Sequence, residues 1–433
     1  MRVPDLMKPK ILTTIRDYSP KLLAADALAG VTVALVALPL SIAIAIASGA
    51  PPAAGLMTAV VAGFVISALG GSRVQIGGPT GAFIVIVYGV IHDHGMNGLL
   101  VATLMAGGIL FVAGLLRAGK LIRHVPEPVI EGFTIGIAIV IAVSQLKDLA
   151  GMTGAALPAD FLPKLEGLWS MRATIDRPSV AIGIGCVAAI LVLRRLAPKF
   201  PWLVLVVALA SVAAAVGFPS VETVAARYGA LPNVIPMPQF PAISVALLIE
   251  LLPSALTIAF LAGIESLLSA IVADRMIGGA HRSNAELVAQ GVANLASPLF
   301  GGLPATGAIA RTATNVNAGG RTPVAGMIHA IIILLAMMVA APMAGALALP
   351  ALAGLLIVTA WTMSEPHRWQ DRLRLPKADL ALLLLTAALT VLADLTVAIA
   401  LGTLIGVVLR LTRGEIEAPR WHTPFRWGGD EPD

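Results

Sequence analysis

Long apolar stretches follow one another along the chain, separated by short clusters of Gly, Pro and charged residues. A bilayer core needs ~20 mostly apolar residues per helix, so this pattern predicts an all-α polytopic membrane protein. We predict fourteen segments, near residues 22–48, 53–70, 80–92, 97–117, 126–146, 179–196, 201–217, 243–273, 285–299, 307–320, 322–344, 349–363, 378–394 and 396–412. Segments 80–92 and 307–320 are too short to cross ~30 Å at ~1.5 Å per residue, and are predicted to be half-helices.

The composition agrees with this pattern. The 433 residues are 58% hydrophobic and only 12% charged, whereas soluble domains are ~45–50% apolar and ~25% charged. A soluble enzyme, a nucleic-acid-binding protein and a disulfide scaffold are therefore excluded as descriptions of the whole chain. The sequence has no P-loop motif, which disfavours ATP-driven transport. We predict neither catalysis nor a bound cofactor or metal.

The basic residues predict the orientation in the membrane. With the N-terminus in the cytoplasm, 23 of the 29 Lys and Arg residues fall on the inner side and 5 on the outer side, and Arg311 lies within a segment. This asymmetry follows the positive-inside rule. It predicts a location in the cell (inner) membrane, with a cytoplasmic N-terminal segment 1–21 and a cytoplasmic tail 413–433.

The two half-helices begin with related motifs. Residues 78–82 are Gly-Pro-Thr-Gly-Ala and residues 304–308 are Pro-Ala-Thr-Gly-Ala, an offset of 226 residues that also superimposes the first segment on the eighth. Seven segments per half imply that the second repeat, 243–412, enters the membrane inverted relative to the first, 22–217. Interrupted helices in corresponding positions of such repeats mark the binding site of secondary transporters. The alternative is a chance recurrence of turn-forming residues.

The two openings predict an anion site made from backbone. Thr80 and Thr306 are each predicted to cap one first-turn amide, while the other amides stay free to donate. Each helix N-terminus has a charge of roughly +0.5. If the inverted repeats bring both ends together at mid-membrane, they attract an anion without the help of a side chain.

Two ionisable residues stand out inside the predicted segments, Arg311 and Glu265. A charge at mid-bilayer costs ~2.5–3.5 kcal/mol on insertion scales, so such groups face a cavity or each other. The functional hypothesis is that Arg311 attracts the anion and that Glu265 takes up a coupling H⁺ or Na⁺, with Ser269 as a further oxygen ligand for Na⁺. The structural alternative is a salt bridge between Arg311 and Glu265.

These motifs resemble those of the sulfate permease (SulP) family of anion transporters. The resemblance covers residues 20–412, and its matching stretches are 26–30, 38–41, 47–56, 75–80, 128–134 and 301–313, of which the last is the most specific. It implies a uracil permease-like fold with a seven-plus-seven inverted repeat. It also implies a core domain (segments 1–4 and 8–11), a gate domain (segments 5–7 and 12–14) and an elevator-like movement of the core against the gate.

The resemblance also implies roles for individual residues. Glu265 and Ser269 fall where related bicarbonate carriers place sodium ligands, and the anion-contacting amides would be those of Thr80, Gly81, Ala82, Ile309, Ala310 and Arg311. Many family members have Gln where Leu40 stands and Ser where Ala310 stands, so this site would depend more on backbone and Arg311. Only about twenty residues follow the last segment, so we expect the family's STAS domain to be absent.

We therefore expect a secondary active transporter of small inorganic or carboxylic anions, of the sulfate, bicarbonate or dicarboxylate class, coupled to H⁺ or Na⁺. Its expected partners are the anion and the lipid bilayer, with a homodimer as one expected assembly and no nucleic acid. Two alternatives stay open, a nucleobase permease of the uracil or xanthine type and an uncoupled anion channel. The pairs Gly132/Gly136 and Gly402/Gly406 predict close helix packing.

Overall fold

The fold was analysed in a computed structural model of the chain, which describes residues 8–119, 126–197, 202–393 and 395–413. Parts of several predictions lie outside the described residues: positions 1–7 of the N-terminal segment, positions 414–433 of the tail, and the basic residues Arg2, Lys120, Arg123, Lys199, Arg420 and Arg426.

Fourteen helices in the described ranges correspond to the fourteen predicted segments, and we number them α1 to α14. The first seven are Pro20–Ala47 (α1), Pro52–Leu69 (α2), 84–94 (α3), 96–115 (α4), Glu127–Ser144 (α5), Arg177–Leu196 (α6) and Trp202–Gly217 (α7). The last seven are Val245–Ile277 (α8), Ser283–Ala296 (α9), Ile309–Asn317 (α10), Pro323–Gly345 (α11), Leu349–Met363 (α12), Lys377–Leu392 (α13) and Leu395–Arg413 (α14).

The helices α3 and α4 form one run, Ile84–Leu115, that is interrupted at Gly95 by a non-helical φ of 67°. Minor elements connect the main helices. They are the short helices Ile11–Thr14, Leu146–Leu149, Phe161–Ser170, Val224–Tyr228 and Trp369–Leu373, the 3₁₀ turns Ile15–Asp17, Gly81–Phe83, Met171–Thr174, Ser297–Phe300 and Pro366–Arg368, and the strands Gly77–Gly78 (β1) and Thr306–Gly307 (β2).

Helix lengths vary widely in the described chain, and the joined run of α3 and α4 is one of the long ones. Eight helical runs are long and apolar enough to cross a membrane on their own. In contrast, α10 has only 9 residues, which cover less than half of a ~30 Å bilayer core at ~1.5 Å per residue. The longest helix, α8, begins where Ser244 Oγ accepts from Leu247 N and ends at Gly278, which is left-handed. Both are common helix boundary signals.

The two halves of the chain pack into each other through the helices that the resemblance assigns to the core. Helix α9 lies against α4, and α11 lies against α1 and α2. A Cβ at Gly107 of α4 would lie 2.7 Å from Leu295 N, so only glycine permits this close approach.

In the gate, α5 packs against α13. A Cβ at Gly132 would lie 2.5 Å from Leu383 O, and one at Gly136 would lie 2.6 Å from Thr390 Cβ. These two glycines therefore allow the backbones to approach closely, as predicted.

Candidate functional site

The starts of the two half-helices lie side by side. Strands β1 and β2 pair antiparallel, with Gly77 opposite Gly307 and Gly78 opposite Thr306. Ala308 N extends this pairing by donating to Ile76 O at 2.8 Å. Because β1 leads into α3 through the turn Gly81–Phe83 and β2 leads into α10, the pairing brings the N-terminal ends of both half-helices together. The predicted meeting of the two ends is confirmed.

The first amides of both half-helices have no acceptor within their own helix. The first helical hydrogen bonds are donated by Phe83 N to Thr80 O at 3.3 Å and by Thr312 N to Ala308 O at 2.9 Å. The amides that precede them belong to residues 80–82 and 309–311, and such amides attract anions. We call these six residues, Thr80, Gly81, Ala82, Ile309, Ala310 and Arg311, the half-helix junction.

The prediction that two threonines cap these ends is wrong. Neither half-helix start has a side-chain cap. Instead, Thr80 Oγ1 donates to Glu265 Oε2 at 3.0 Å and Thr306 Oγ1 donates to Ala262 O at 2.8 Å. Both hydroxyls turn towards α8 because it offers acceptors inside the apolar interior, where a hydroxyl needs a partner. The first-turn amides are consequently left free of threonine oxygens.

Arg311 reaches from α10 to the start of α3. Its side chain is buried, its Nη2 donates to Pro79 O at 2.8 Å, and Ser41 Oγ lies 3.5 Å from the same nitrogen. Among the described residues, its Nε and Nη1 have no hydrogen-bond partner. A buried guanidinium with two unpaired donors is suited to an anion, which it can hold with charge-assisted hydrogen bonds.

Glycine at position 78 makes room for this guanidinium. A Cβ there would lie 2.5 Å from Arg311 Nη1, and the residue has a φ of 150°, a conformation that side chains rarely adopt.

Arg311 and Glu265 do not form the salt bridge of the structural alternative in the described chain, since no ion pair within 4.0 Å joins them. Each contacts a different neighbour in the same turn: Arg311 binds the carbonyl of Pro79, and Glu265 accepts from Thr80. Glu265 is partly exposed. The two charged groups therefore contact adjacent residues, just before the turn that begins α3.

Ser269, the second residue proposed for cation coupling, is fully buried one turn further along α8. Its hydroxyl shares a hydrogen bond of 3.1 Å with Thr312 Oγ1, which also accepts from Ile76 N at 3.0 Å. The Ser269 hydroxyl is thus engaged with α10 rather than with Glu265.

The half-helix junction lies where core and gate helices meet. A Cβ at Gly81 would lie 3.1 Å from Met363 Sδ and 3.5 Å from Ile141 Cδ1, which belong to the gate helices α12 and α5. Ala310, at the other half-helix, is exposed. The junction is therefore covered by apolar gate side chains at Gly81 and accessible at Ala310.

A buried polar network behind the junction was missed by the sequence analysis. Its centre is Glu286 of α9, which is 0% exposed. Glu286 Oε2 accepts from the amides of residues 71–72 at 2.9 and 3.2 Å, while Oε1 accepts from Ser266 Oγ at 3.0 Å and Gln290 Nε2 at 2.9 Å. Gln75 Nε2 donates to Ser266 Oγ at 2.8 Å. The only signal in the sequence was an acid at the start of an apolar segment.

The fold and the junction define an inverted-repeat membrane transporter. The model of the sulfate permease family matches residues 23–386, and the chain belongs to this family. The chain is 43% identical over 408 residues to the putative sulfate transporter YvdB of Bacillus subtilis, covering 94% of this chain and 77% of that protein. It is 31% identical over 405 residues to the bicarbonate transporter BicA of Picosynechococcus, covering 90% and 70%.

Solved structures agree with this assignment. The transmembrane domain of a cyanobacterial bicarbonate transporter BicA matches with a TM-score of 0.77 at 28% identity, over 91% of this chain and 98% of that one. The structure of SLC26A9 matches with a TM-score of 0.85 at 16% identity, over 94% and 68%, and supports the fold alone. The seven-plus-seven inverted repeat with core and gate domains is confirmed, and the protein is a membrane-embedded anion transporter, not an enzyme.

Proposed function

We propose that the protein is a secondary active transporter that carries a small inorganic or carboxylic anion together with H⁺ or Na⁺, and that the anion binds at the half-helix junction. The observation that supports this most strongly is the buried guanidinium of Arg311, whose Nε and Nη1 are unpartnered within the described chain beside two sets of first-turn amides. Sulfate and bicarbonate are the first substrates to test because the relatives are named for them.

The donors at the junction suit an oxyanion. Each helix end contributes roughly half a positive charge, and Arg311 contributes a full charge and a planar set of donors that matches two oxygens. A nucleobase would need polar side chains that recognise a ring, but the two positions at which the family resemblance implies Gln and Ser are occupied here by Leu40 and Ala310. The junction therefore favours a small anion over a nucleobase.

Glu265 supports coupling to a cation. Its carboxylate contacts Thr80, a member of the junction, so its negative charge opposes anion binding and a bound cation removes that opposition. A proton needs only Glu265 as its acceptor. Sodium needs several oxygens, and the nearby Ser269 hydroxyl would have to leave Thr312 to serve as one.

The position of the junction supports an elevator movement. All six junction residues belong to core segments, whereas Ile141 and Met363 of the gate only cover Gly81. The core could therefore move against the gate with its anion contacts intact.

The test is uptake into proteoliposomes that contain the purified protein, with labelled sulfate, bicarbonate or succinate and with proton and sodium gradients imposed separately. We expect one gradient to stimulate saturable uptake by the wild type. Glu265→Gln should lose this stimulation but keep anion exchange. Glu250→Gln, at an exposed position of the same helix, should behave like the wild type.

Two results would contradict the proposal. Gradient-driven uptake that is equal in Glu265→Gln and the wild type would exclude Glu265 from coupling. A flux that does not saturate and ignores both cation gradients would favour the uncoupled channel.

We also propose that the protein lies in the inner membrane with both termini in the cytoplasm, because the Lys and Arg residues are concentrated on one side. Protease accessibility of terminal tags in oriented membrane vesicles tests this orientation. A homodimer stays a prediction, to be tested by the mass of the protein in nanodiscs.

A further inference from the structure

A polar cavity of about 320 Å³ lies beside the N-terminal segment, apart from the half-helix junction. Its lining includes the basic side chains of Lys10, Arg73 and Arg321 and the hydroxyls of Thr13, Thr14 and Thr322. The basic residues come from three separate parts of the chain: the N-terminal segment, the connection between α2 and β1, and the connection between α10 and α11.

Hydrogen bonds tie two of these parts, the N-terminal segment and the connection after α2, to each other and to Arg282. Lys10 N donates to Gly70 O at 2.9 Å, which ties the N-terminal segment to the end of α2. Arg282 Nη1 donates to Lys8 O at 2.8 Å, and Arg282 N donates to Gly71 O at 3.0 Å. The third part is tied to α1, since Arg321 N donates to Asp26 Oδ1 at 2.8 Å, so contacts of the fold place all three parts around the cavity.

The positive charges in the cavity are not neutralised within the described part of the chain. No hydrogen bond or ion pair engages the side chains of Lys10, Arg73 and Arg321 there. Burial lowers the pKa of Lys10, and the charges of Arg282 and Arg73 lower it further. Arg73 and Arg282 thus repel Lys10, and an anion in the cavity would relieve this repulsion.

Among the described side chains, two carboxylates near these residues are satisfied by other donors. Asp26, next to Thr322, is 0% exposed and accepts from Arg321 N at 2.8 Å, from Thr322 N at 3.2 Å and from Tyr18 Oη at 3.1 Å. The charge of Asp274 partly offsets the lowering of the Lys10 pKa. Asp274 Oδ2 accepts from His281 N at 2.7 Å and lies 2.6 Å from His281 Nδ1.

We propose that this cavity is a second anion site, which binds a phosphate group. A phosphate monoester has a charge of about −1.5 to −2 and three acceptor oxygens, which match the three basic side chains. The volume falls in the range of ~300–1,000 Å³ that is usual for small-molecule sites. The phosphate can belong to a soluble phosphorylated compound or to a phospholipid headgroup, where it is a diester with a single negative charge and two free acceptor oxygens.

A ligand in the cavity would bridge two of the chain segments that flank the half-helix junction. Arg73 lies shortly before β1, and Arg321 lies shortly after α10. Occupancy therefore links the N-terminal segment to the strand that enters one half-helix and to the loop that leaves the other.

The first test titrates inorganic pyrophosphate into the full-length protein in detergent and measures heat by calorimetry. We expect the double variant Arg73→Gln/Arg321→Gln to bind at least about tenfold more weakly than the wild type, because it loses charge-assisted hydrogen bonds. The double variant Arg374→Gln/Lys377→Gln removes two exposed charges from another connection and should bind like the wild type. Arg311→Ala, which alters the junction, should still bind pyrophosphate.

The second test counts the lipids that stay bound in native mass spectrometry after transfer from nanodiscs of phosphatidylglycerol or phosphatidylcholine. If the source is a lipid, Arg73→Gln/Arg321→Gln should retain one phosphatidylglycerol fewer than the wild type. A loss in either test supports the site and identifies the source of its phosphate. Unchanged binding in both tests, or pyrophosphate binding that Arg311→Ala abolishes and Arg73→Gln/Arg321→Gln preserves, would overturn the proposal.

Discussion

Replacing Arg311 with Gln should weaken anion binding strongly. The wild-type guanidinium is buried and holds Pro79 O at 2.8 Å, while Nε and Nη1 have no hydrogen-bond partner within the described chain. A hydrogen bond to a charged group contributes ~1.5–3 kcal/mol, and ~1.4 kcal/mol changes affinity tenfold. Because Gln keeps one amide donor but no charge, the net loss is about one such bond. We therefore expect a roughly 10- to 150-fold higher dissociation constant.

The assay is calorimetric titration of the transported anion into purified protein, with thermal unfolding measured in parallel. Arg311→Lys keeps the charge but loses the planar fork, so its affinity should fall between those of Gln and Arg. Arg195→Gln, at an exposed gate position, is the matched control and should bind like the wild type. A folded Arg311→Gln protein with wild-type affinity would refute the assignment of the anion to the junction.

Three other substitutions test the surroundings of the site. Thr80→Val removes the hydroxyl that donates to Glu265, a bond of ~1 kcal/mol, and should change the apparent affinity for the coupling cation about fivefold in gradient-driven uptake. Glu286→Gln replaces a buried acceptor of four hydrogen bonds with a group that also donates, and should lower the free energy of unfolding by roughly 2–4 kcal/mol, measured by thermal or denaturant unfolding. Gly136→Leu should separate α5 from α13 and lower the free energy of unfolding by about 1–3 kcal/mol in the same assay. Gly185→Leu should leave it unchanged, because a Cβ at Gly185 meets nothing within 4 Å.

Each of these predictions has an outcome that contradicts it. Cation dependence that is unchanged in Thr80→Val would remove the hydroxyl from coupling. Wild-type stability of Glu286→Gln would show that the network tolerates a neutral acceptor. Equal stability of the two Gly→Leu variants would show that α5 and α13 can separate without cost.

The sequence predicted the helices well because a bilayer imposes length and hydrophobicity on each one. It also predicted the meeting of the half-helices, since the repeated motif at 78–82 and 304–308 fixes a symmetry as well as two local structures. The predicted segments 80–92 and 97–117 form one helical run that is kinked at Gly95, a continuity that apolar patterns alone do not reveal.

Partners distant in the chain were harder to predict. Threonine at a helix start favours capping. The two hydroxyls instead donate to Glu265 and Ala262 O, which lie on α8 and come near only in the tertiary structure. Glu286 was missed because its amide donors at 71–72 are more than 200 positions away in the sequence. Likewise, the sequence used Arg73 and Arg321 only as basic residues that indicate the orientation in the membrane. The fold was needed to place them around one cavity.

The most direct test of anion binding at the half-helix junction is crystallography with selenate. The protein is crystallised with selenate at a concentration that inhibits uptake, and the anomalous difference density locates the selenium. We predict a selenium peak between the starts of α3 and α10, with selenate oxygens ~3 Å from the amides of Gly81 and Ala310 and from the Arg311 guanidinium. A selenium peak at another place, with none at the junction, would contradict the proposed site.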